Sequence, residues 1–177
     1  HVDERGPQGE RDIAEKLLAD LTGHPRVAAF WMPRLARFLD WFAETEADRR
    51  ADVVRVVPEI SGSLVIAAPG GPFTLTARAD RIDDTGHGLI ITDYKTGVIP
   101  ADSNVQKGRA PQLPLEAAIA ASDIGFPGLA GREVLALKYI RASGGEPAGE
   151  DKRIKTNDVA ALAAAALQGL SELEIGR

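Results

Sequence analysis

The stretch from Arg78 to Gly97 restricts this chain most: acidic residues, a glycine-rich turn and a lysine fall inside two strand-like runs. Phe73 to Ile82 and Leu89 to Tyr94 are β-prone, and Asp83-Asp84-Thr85-Gly86-His87-Gly88 between them is a turn signal, so the segment reads as a β-hairpin. A turn centred between Gly86 and His87 sets Asp80 directly opposite Asp93. Side chains alternate along a strand, which puts Asp93 and Lys95 on one face and Tyr94 on the other. Like charges facing one another across a sheet cost stability. A divalent cation removes that cost, and oxygen ligands of this kind suit Mg²⁺. Asp83 reads as a turn residue making local hydrogen bonds. The plainer alternative is a surface hairpin with an Asp–Lys pair on its solvated face, since an Asp-x-Lys triplet alone carries little information.

Around this hairpin the chain has the makings of one domain with its own core: 177 residues, 44% of them hydrophobic and 27% charged. It starts at His1 without Met and is expected to be cut from a longer protein. No apolar run approaches the roughly 20 residues that span a membrane, so no membrane association is expected. The absence of cysteine excludes disulfides and cysteine-ligated zinc or iron–sulfur sites, and fits a cytoplasmic protein. A net charge of −5 argues against a free-standing, non-specific nucleic-acid binder. It leaves room for a nuclease, because metal ions supply positive charge locally. Basic clusters at Arg49-Arg50, Lys107 to Arg109 and Lys152 to Lys155 read as solvated surface.

Periodicity divides the rest. A short amphipathic helix is expected over 10–21, and a second helical region over 26–50, with Pro33 in the first turn of its longer helix. Its stripe of Val27, Phe30, Trp31, Leu35, Phe38, Leu39 and Phe42 reads as core. Strands are expected at 53–57, 64–67, 73–82, 89–94 and 133–140. A polar loop to Ala110 precedes a helix over 111–121, with Pro114 tolerable in its first turn. Residues 143–150 read as a Gly/Pro-rich linker, and a last helix over 158–173 is capped by Thr156 or Asn157. Helices before, between and after the strands predict an α/β (α+β) fold with a mixed central sheet.

Arg78-Ala79-Asp80-Arg81-Ile82-Asp83, Asp93-Tyr94-Lys95-Thr96-Gly97 and Pro111-Gln112-Leu113-Pro114-Leu115-Glu116-Ala117 together resemble the restriction-endonuclease-like, PD-(D/E)xK nuclease superfamily. More narrowly they are similar to the RecB-type nuclease domain in the form found at the C-terminus of AddB. AddB is the second subunit of the AddAB helicase–nuclease that processes bacterial double-strand breaks. The resemblance implies a restriction-endonuclease-like fold over residues 1–177, with 1–50 as a helical lead-in and 51–177 as the sheet core. It makes Asp80 and Asp93 ligands of Mg²⁺, with Mn²⁺ as a substitute, and adds the Tyr94 backbone carbonyl. Lys95 becomes the catalytic lysine, and Gln112 the glutamine of the helix that follows.

The sequence departs from the family pattern at Ala77, where glycine is usual, and at Glu116, where tyrosine is expected. His1 stands as the candidate for the family's metal-site histidine, and Glu59 and Glu116 as further acidic candidates. Without cysteines no iron–sulfur cluster is expected. The implied activity is exonucleolytic hydrolysis of DNA during double-strand break repair, beside an AddA-type helicase–nuclease subunit. Two other readings stay open: a catalytically silent DNA-binding or scaffolding domain of the same complex, and a stand-alone RecB-like exonuclease.

Overall fold

A computed structural model describes residues 25–68 and 70–175. The helix expected over 10–21 and the candidate His1 lie outside the described residues. The elements are α1 (Pro25–Arg49), β1 (Arg55–Ile66), β2 (Phe73–Asp84), β3 (Leu89–Lys95), α2 (Asp102–Gln106), α3 (Gln112–Ala121), β4 (Val134–Ala142), β5 (Gly149–Arg153) and α4 (Val159–Ile175). The strands form one mixed five-stranded sheet in sequential order, β1 to β5, with flanking helices. β1 to β3 make an antiparallel meander, and the crossover from β3 to its neighbour β4 carries α2 and α3. Among the described residues no helix is long and apolar enough to cross a membrane.

The described residues divide into two compact units, one holding 25–51 with Arg141–Glu150, the other Asp52–Ile140 with 151–175. In the first, α1 runs straight through Pro33 instead of starting near it. Proline there has no N–H to offer the Ala29 carbonyl, so that one helical hydrogen bond is missing. The expected core stripe is only partly realised: Phe30 and Trp31 are exposed, and the Arg34 guanidinium lies 4.3 Å from the Phe30 ring centroid. The loop joining β4 to β5 folds onto α1. Arg37 donates from both Nε and a terminal nitrogen to the Gly144 carbonyl, at 2.9 and 2.7 Å. Gly149 packs so closely on the Trp41 ring that a Cβ there has no space.

In the second unit α3 lies over β1, β2 and β3 and packs against α4. Ile82, Leu89, Ile91, Leu113, Ile119, Phe126 and Leu137 form the centre of its core. The strands expected separately at 53–57 and 64–67 are one strand, β1. Pro58 does not break it because β1 is an edge strand, where a missing N–H costs no ladder bond. Glu59 takes a left-handed conformation, φ 50°, with Pro58 still opposite Arg81 and Ile60 still opposite Ala79. The expected linker over 143–150 gives up only Gly149 and Glu150 to β5, a strand that was not expected, and a single turn of helix, α2, interrupts the expected polar loop. The last helix is capped one residue later than expected, by Asp158, whose Oδ1 accepts the Ala161 N–H at 2.8 Å.

Candidate active site

The β2–β3 hairpin has the expected register: Arg81 faces Thr92, Ile82 faces Ile91, Asp83 faces Ile90 and Asp84 faces Leu89. Its turn is closed by the Thr85 N–H donating to the Gly88 carbonyl at 3.0 Å, with Gly86 at φ 80°. Asp84, not Asp83, makes the local turn bond, its Oδ1 accepting the Gly86 N–H at 2.8 Å. That bond, before any effect of burial or of Arg132, keeps the Asp84 carboxyl below its ordinary range. Asp83 instead turns inward and meets Arg81 Nε at 2.8 Å, both side chains buried. Burial opposes the Arg81 charge, but hydrogen bonds with Asp83 and Tyr94 outweigh it and hold the guanidinium firmly protonated. This pair braces the hairpin on the face opposite the site.

The ladder ends one step before Asp80 and Asp93 would pair. There β2 stays with β1 through the Ile60–Ala79 pair, and the Tyr94 N–H donates to Asp80 Oδ2 at 2.9 Å. A carboxylate therefore takes the place of a backbone acceptor, which seats Asp80 beside the chain segment carrying Asp93 and Lys95. Asp93 is 2% exposed. Its Oδ2 lies 2.8 Å from Lys95 Nζ, an ion pair without hydrogen-bond alignment, and its Oδ1 accepts from Gln112 Nε2 at 2.5 Å. Asp93 and Lys95 share a face as alternation requires.

The start of α3 completes the cluster. Gln112 is its first residue, and its Oε1 accepts from Lys95 Nζ at 3.1 Å. One turn on, Glu116 Oε1 accepts from Gln112 Nε2 at 3.2 Å. Glu116 is 1% exposed, and its Oε2 is buried without a hydrogen-bond partner. Burial pushes its carboxyl up to about 7; the Gln112 bond pulls against that, the Asp93 and Asp80 charges add to it, and Lys95 offsets part of it.

Tyr139, on β4, was not singled out by any motif. Its ring is buried with its centroid 6.0 Å from Lys95 Nζ, and burial, then the Asp93 and Glu116 charges, push its phenol up to about 12. Only the apolar character of β4 hints at it in the sequence. Glu59 is exposed and ion-paired with Arg78 at 2.7 Å, and no hydrogen bond or ion pair ties it to Asp80, Asp93 or Lys95.

Among the described residues no three His, Cys, Asp or Glu side chains form a group able to hold a metal ion by themselves. Mg²⁺ commonly binds through one or two carboxylates and keeps several waters. Two buried carboxylate oxygens without hydrogen bonds, Asp93 Oδ2 and Glu116 Oε2, lie in this cluster, and the donors are the hard oxygens Mg²⁺ prefers. The donor set therefore fits the cation, with Asp80, Asp93 and main-chain oxygen at Tyr94 as the groups that would hold it.

A mixed sheet whose second and third strands bring two aspartates and a lysine under one helix defines a class of acid–lysine sites. The model of the PD-(D/E)XK nuclease superfamily matches residues 3–175, and the chain belongs to that superfamily. Members typically use Mg²⁺. Uncharacterized proteins of Rickettsia typhi and Rickettsia bellii are each 32% identical over 87 residues, which is 49% of this chain and 10% of each relative. The chain thus aligns with about a tenth of the length of the curated relatives it matches. The crystal structure of SSO0001 aligns over 96% of this chain and 72% of that one, with 17% identity and a TM-score of 0.39.

Proposed function

We propose that this chain hydrolyses phosphodiester bonds of DNA in a Mg²⁺-dependent reaction. In this reading residues 1–177 act as one nuclease domain of an AddB-type subunit, working exonucleolytically in the cytoplasm beside an AddA-type helicase–nuclease during double-strand break repair. The observation that carries the chemistry is the joined cluster of Asp93, Lys95 and Gln112 with Asp80 anchored on the Tyr94 N–H. The AddB-type context rests on the resemblance of the Arg78–Asp83, Asp93–Gly97 and Pro111–Ala117 strings alone.

Hydrolysis needs an oriented water, neutralisation of charge on the phosphate, and a site that does not itself drift. A bound Mg²⁺ supplies a Lewis acid that polarises the phosphate and makes water a stronger nucleophile. Lys95 carries a positive charge that Asp93 and Gln112 hold in one place, so it can orient the water and stabilise charge as it develops on the phosphoryl oxygens. This electrostatic role needs no proton removed from the lysine. Asp80 and Asp93 bring the negative charge that holds the cation. Gln112 ties Asp93 to Lys95 and keeps their spacing.

The test is hydrolysis of single-stranded DNA with Mg²⁺ or Mn²⁺ by the native chain and by Asp80→Ala and Lys95→Ala. Both variants are expected to lose activity by about 10²-fold or more. Hydrolysis that survives both substitutions overturns the assignment. A native chain that binds Mn²⁺ but leaves DNA intact, also when its AddA-type partner is present, favours the silent domain instead.

A further inference from the structure

The Gln112 side chain is hydrogen-bonded to Asp93, Lys95 and Glu116, and an amide has two ends of nearly equal shape. Which end faces Asp93 decides whether Lys95 finds an acceptor or a donor. The Gln112 nitrogen has two hydrogens; one goes to Asp93 Oδ1 and the other to Glu116 Oε1, while its oxygen takes the Lys95 ammonium. We propose that Glu116 is a positioning residue, whose carboxyl oxygen fixes the orientation of the Gln112 amide and through it the place of Lys95. The proposal rests on the reading of Asp93 and Lys95 as the reacting pair, and it adds a residue at which this chain departs from its family's usual tyrosine.

The geometry favours this over a packing role. Glu116 lies four residues after Gln112 on α3, the spacing that stacks side chains on one helix face. Its neighbours along the buried face are Leu113, Ala117 and Ala120, where an apolar side chain would pack without desolvating a carboxyl. Among the described residues its Oε2 has no hydrogen-bond partner, and the side chain's one hydrogen bond is that to the Gln112 amide. A reversed amide would set its oxygen against two carboxyl oxygens and its nitrogen against an ammonium. With Glu116 gone, Asp93 and Lys95 still oppose that reversal, but one of the two carboxyl acceptors that hold the amide nitrogen is lost.

The experiment follows the Gln112 side-chain amide by NMR in ¹⁵N-labelled protein, its signal assigned by its loss in Gln112→Leu, alongside DNA hydrolysis with Mg²⁺. In Glu116→Leu the amide protons are expected to exchange with solvent at least about 10-fold faster. The variant's kcat is expected to fall about 10- to 100-fold, with KM little changed. Glu116→Gln keeps an oxygen acceptor and is expected to recover most of both. Gln112→Leu/Glu116→Leu is expected to be no slower than Gln112→Leu alone, because both act through one amide.

An unchanged amide signal in Glu116→Leu, multiplying effects in the double variant, or a Glu116→Gln as impaired as Glu116→Leu overturns the proposal. Should Glu116→Leu not fold, Glu116→Ala removes the acceptor without added bulk. If the native chain cuts no DNA even with its AddA-type partner present, the proposed function fails while the amide signals still decide this point.

Discussion

Glu116 is a buried carboxyl beside Gln112, and its burial makes it a source of pH-dependent stability. An unfolded glutamate ionises near 4.5, whereas burial moves the folded one up to about 7. Between those values the folded chain holds a proton that the unfolded chain has released, so stability falls as pH rises through that window and is level above it. A gap of this size corresponds to about 3 kcal/mol. Denaturant titrations of metal-free protein from pH 4.5 to 8 are expected to show this loss, and Glu116→Gln to remove it. Parallel native and variant profiles would sink the argument. Other groups titrate in both proteins and cancel in the difference.

The residue scale is also where the sequence was most legible. That Asp93 and Lys95 share a face followed from strand alternation, and the nearness of Asp80 from the turn signal. Tyr139 was hidden because its place beside Lys95 depends on β4 lying next to β3, a contact between residues 44 positions apart in the chain. Asp83 was misjudged for a local reason. It stands in a cluster of turn residues, yet its partner Arg81 lies two positions back on the same strand and draws it inward.

At the scale of elements, the sheet depends on close approaches that composition does not announce. Gly62, in the middle of β1, leaves room for the Phe126 ring: a Cβ there would come within 2.5 Å of Phe126 Cδ1 and 2.9 Å of Ile119 Cγ2. Both side chains are fully buried, so neither can move aside cheaply. Gly62→Val is therefore expected to destabilise the chain by about 1–3 kcal/mol through overpacking. For a chain of this size that lowers the melting temperature by roughly 2–12 °C. A melting curve unchanged from native would show that the helix–sheet packing tolerates what the geometry forbids.

The same Ser61-Gly62-Ser63 stretch explains why β1 read as two strands. Proline, glycine and serine signal breaks locally, but pairing with β2 along the whole length overrides them. β5 escaped notice for a related reason. Its residues Gly149 to Arg153 are mostly polar, and only pairing with β4 makes them a strand.

At the scale of the whole molecule the question is how a chain of net charge −5 tolerates Asp80, Asp93 and Glu116 around one lysine. Without a cation, Lys95 alone offsets Asp93, and the buried Glu116 is held partly neutral. A divalent cation that binds the folded site and not the unfolded chain must then stabilise the fold by mass action. At a concentration 100 times its Kd the gain is about 2.7 kcal/mol, or roughly 5–11 °C in melting temperature. Calorimetric melting with and without Mn²⁺ is expected to show that rise for the native chain. Asp80→Asn and Asp93→Asn each remove a charged ligand and are expected to abolish it, because neither remaining carboxylate holds the cation alone. Lys95→Met is the informative counterpart. It removes the competing ammonium from Asp93, so Mn²⁺ is expected to raise its melting temperature at least as much as the native chain's, although the variant is expected to lose hydrolysis of DNA. An Asp80→Asn chain stabilised by Mn²⁺ as strongly as the native one would place the cation elsewhere and separate the acid pair from metal binding.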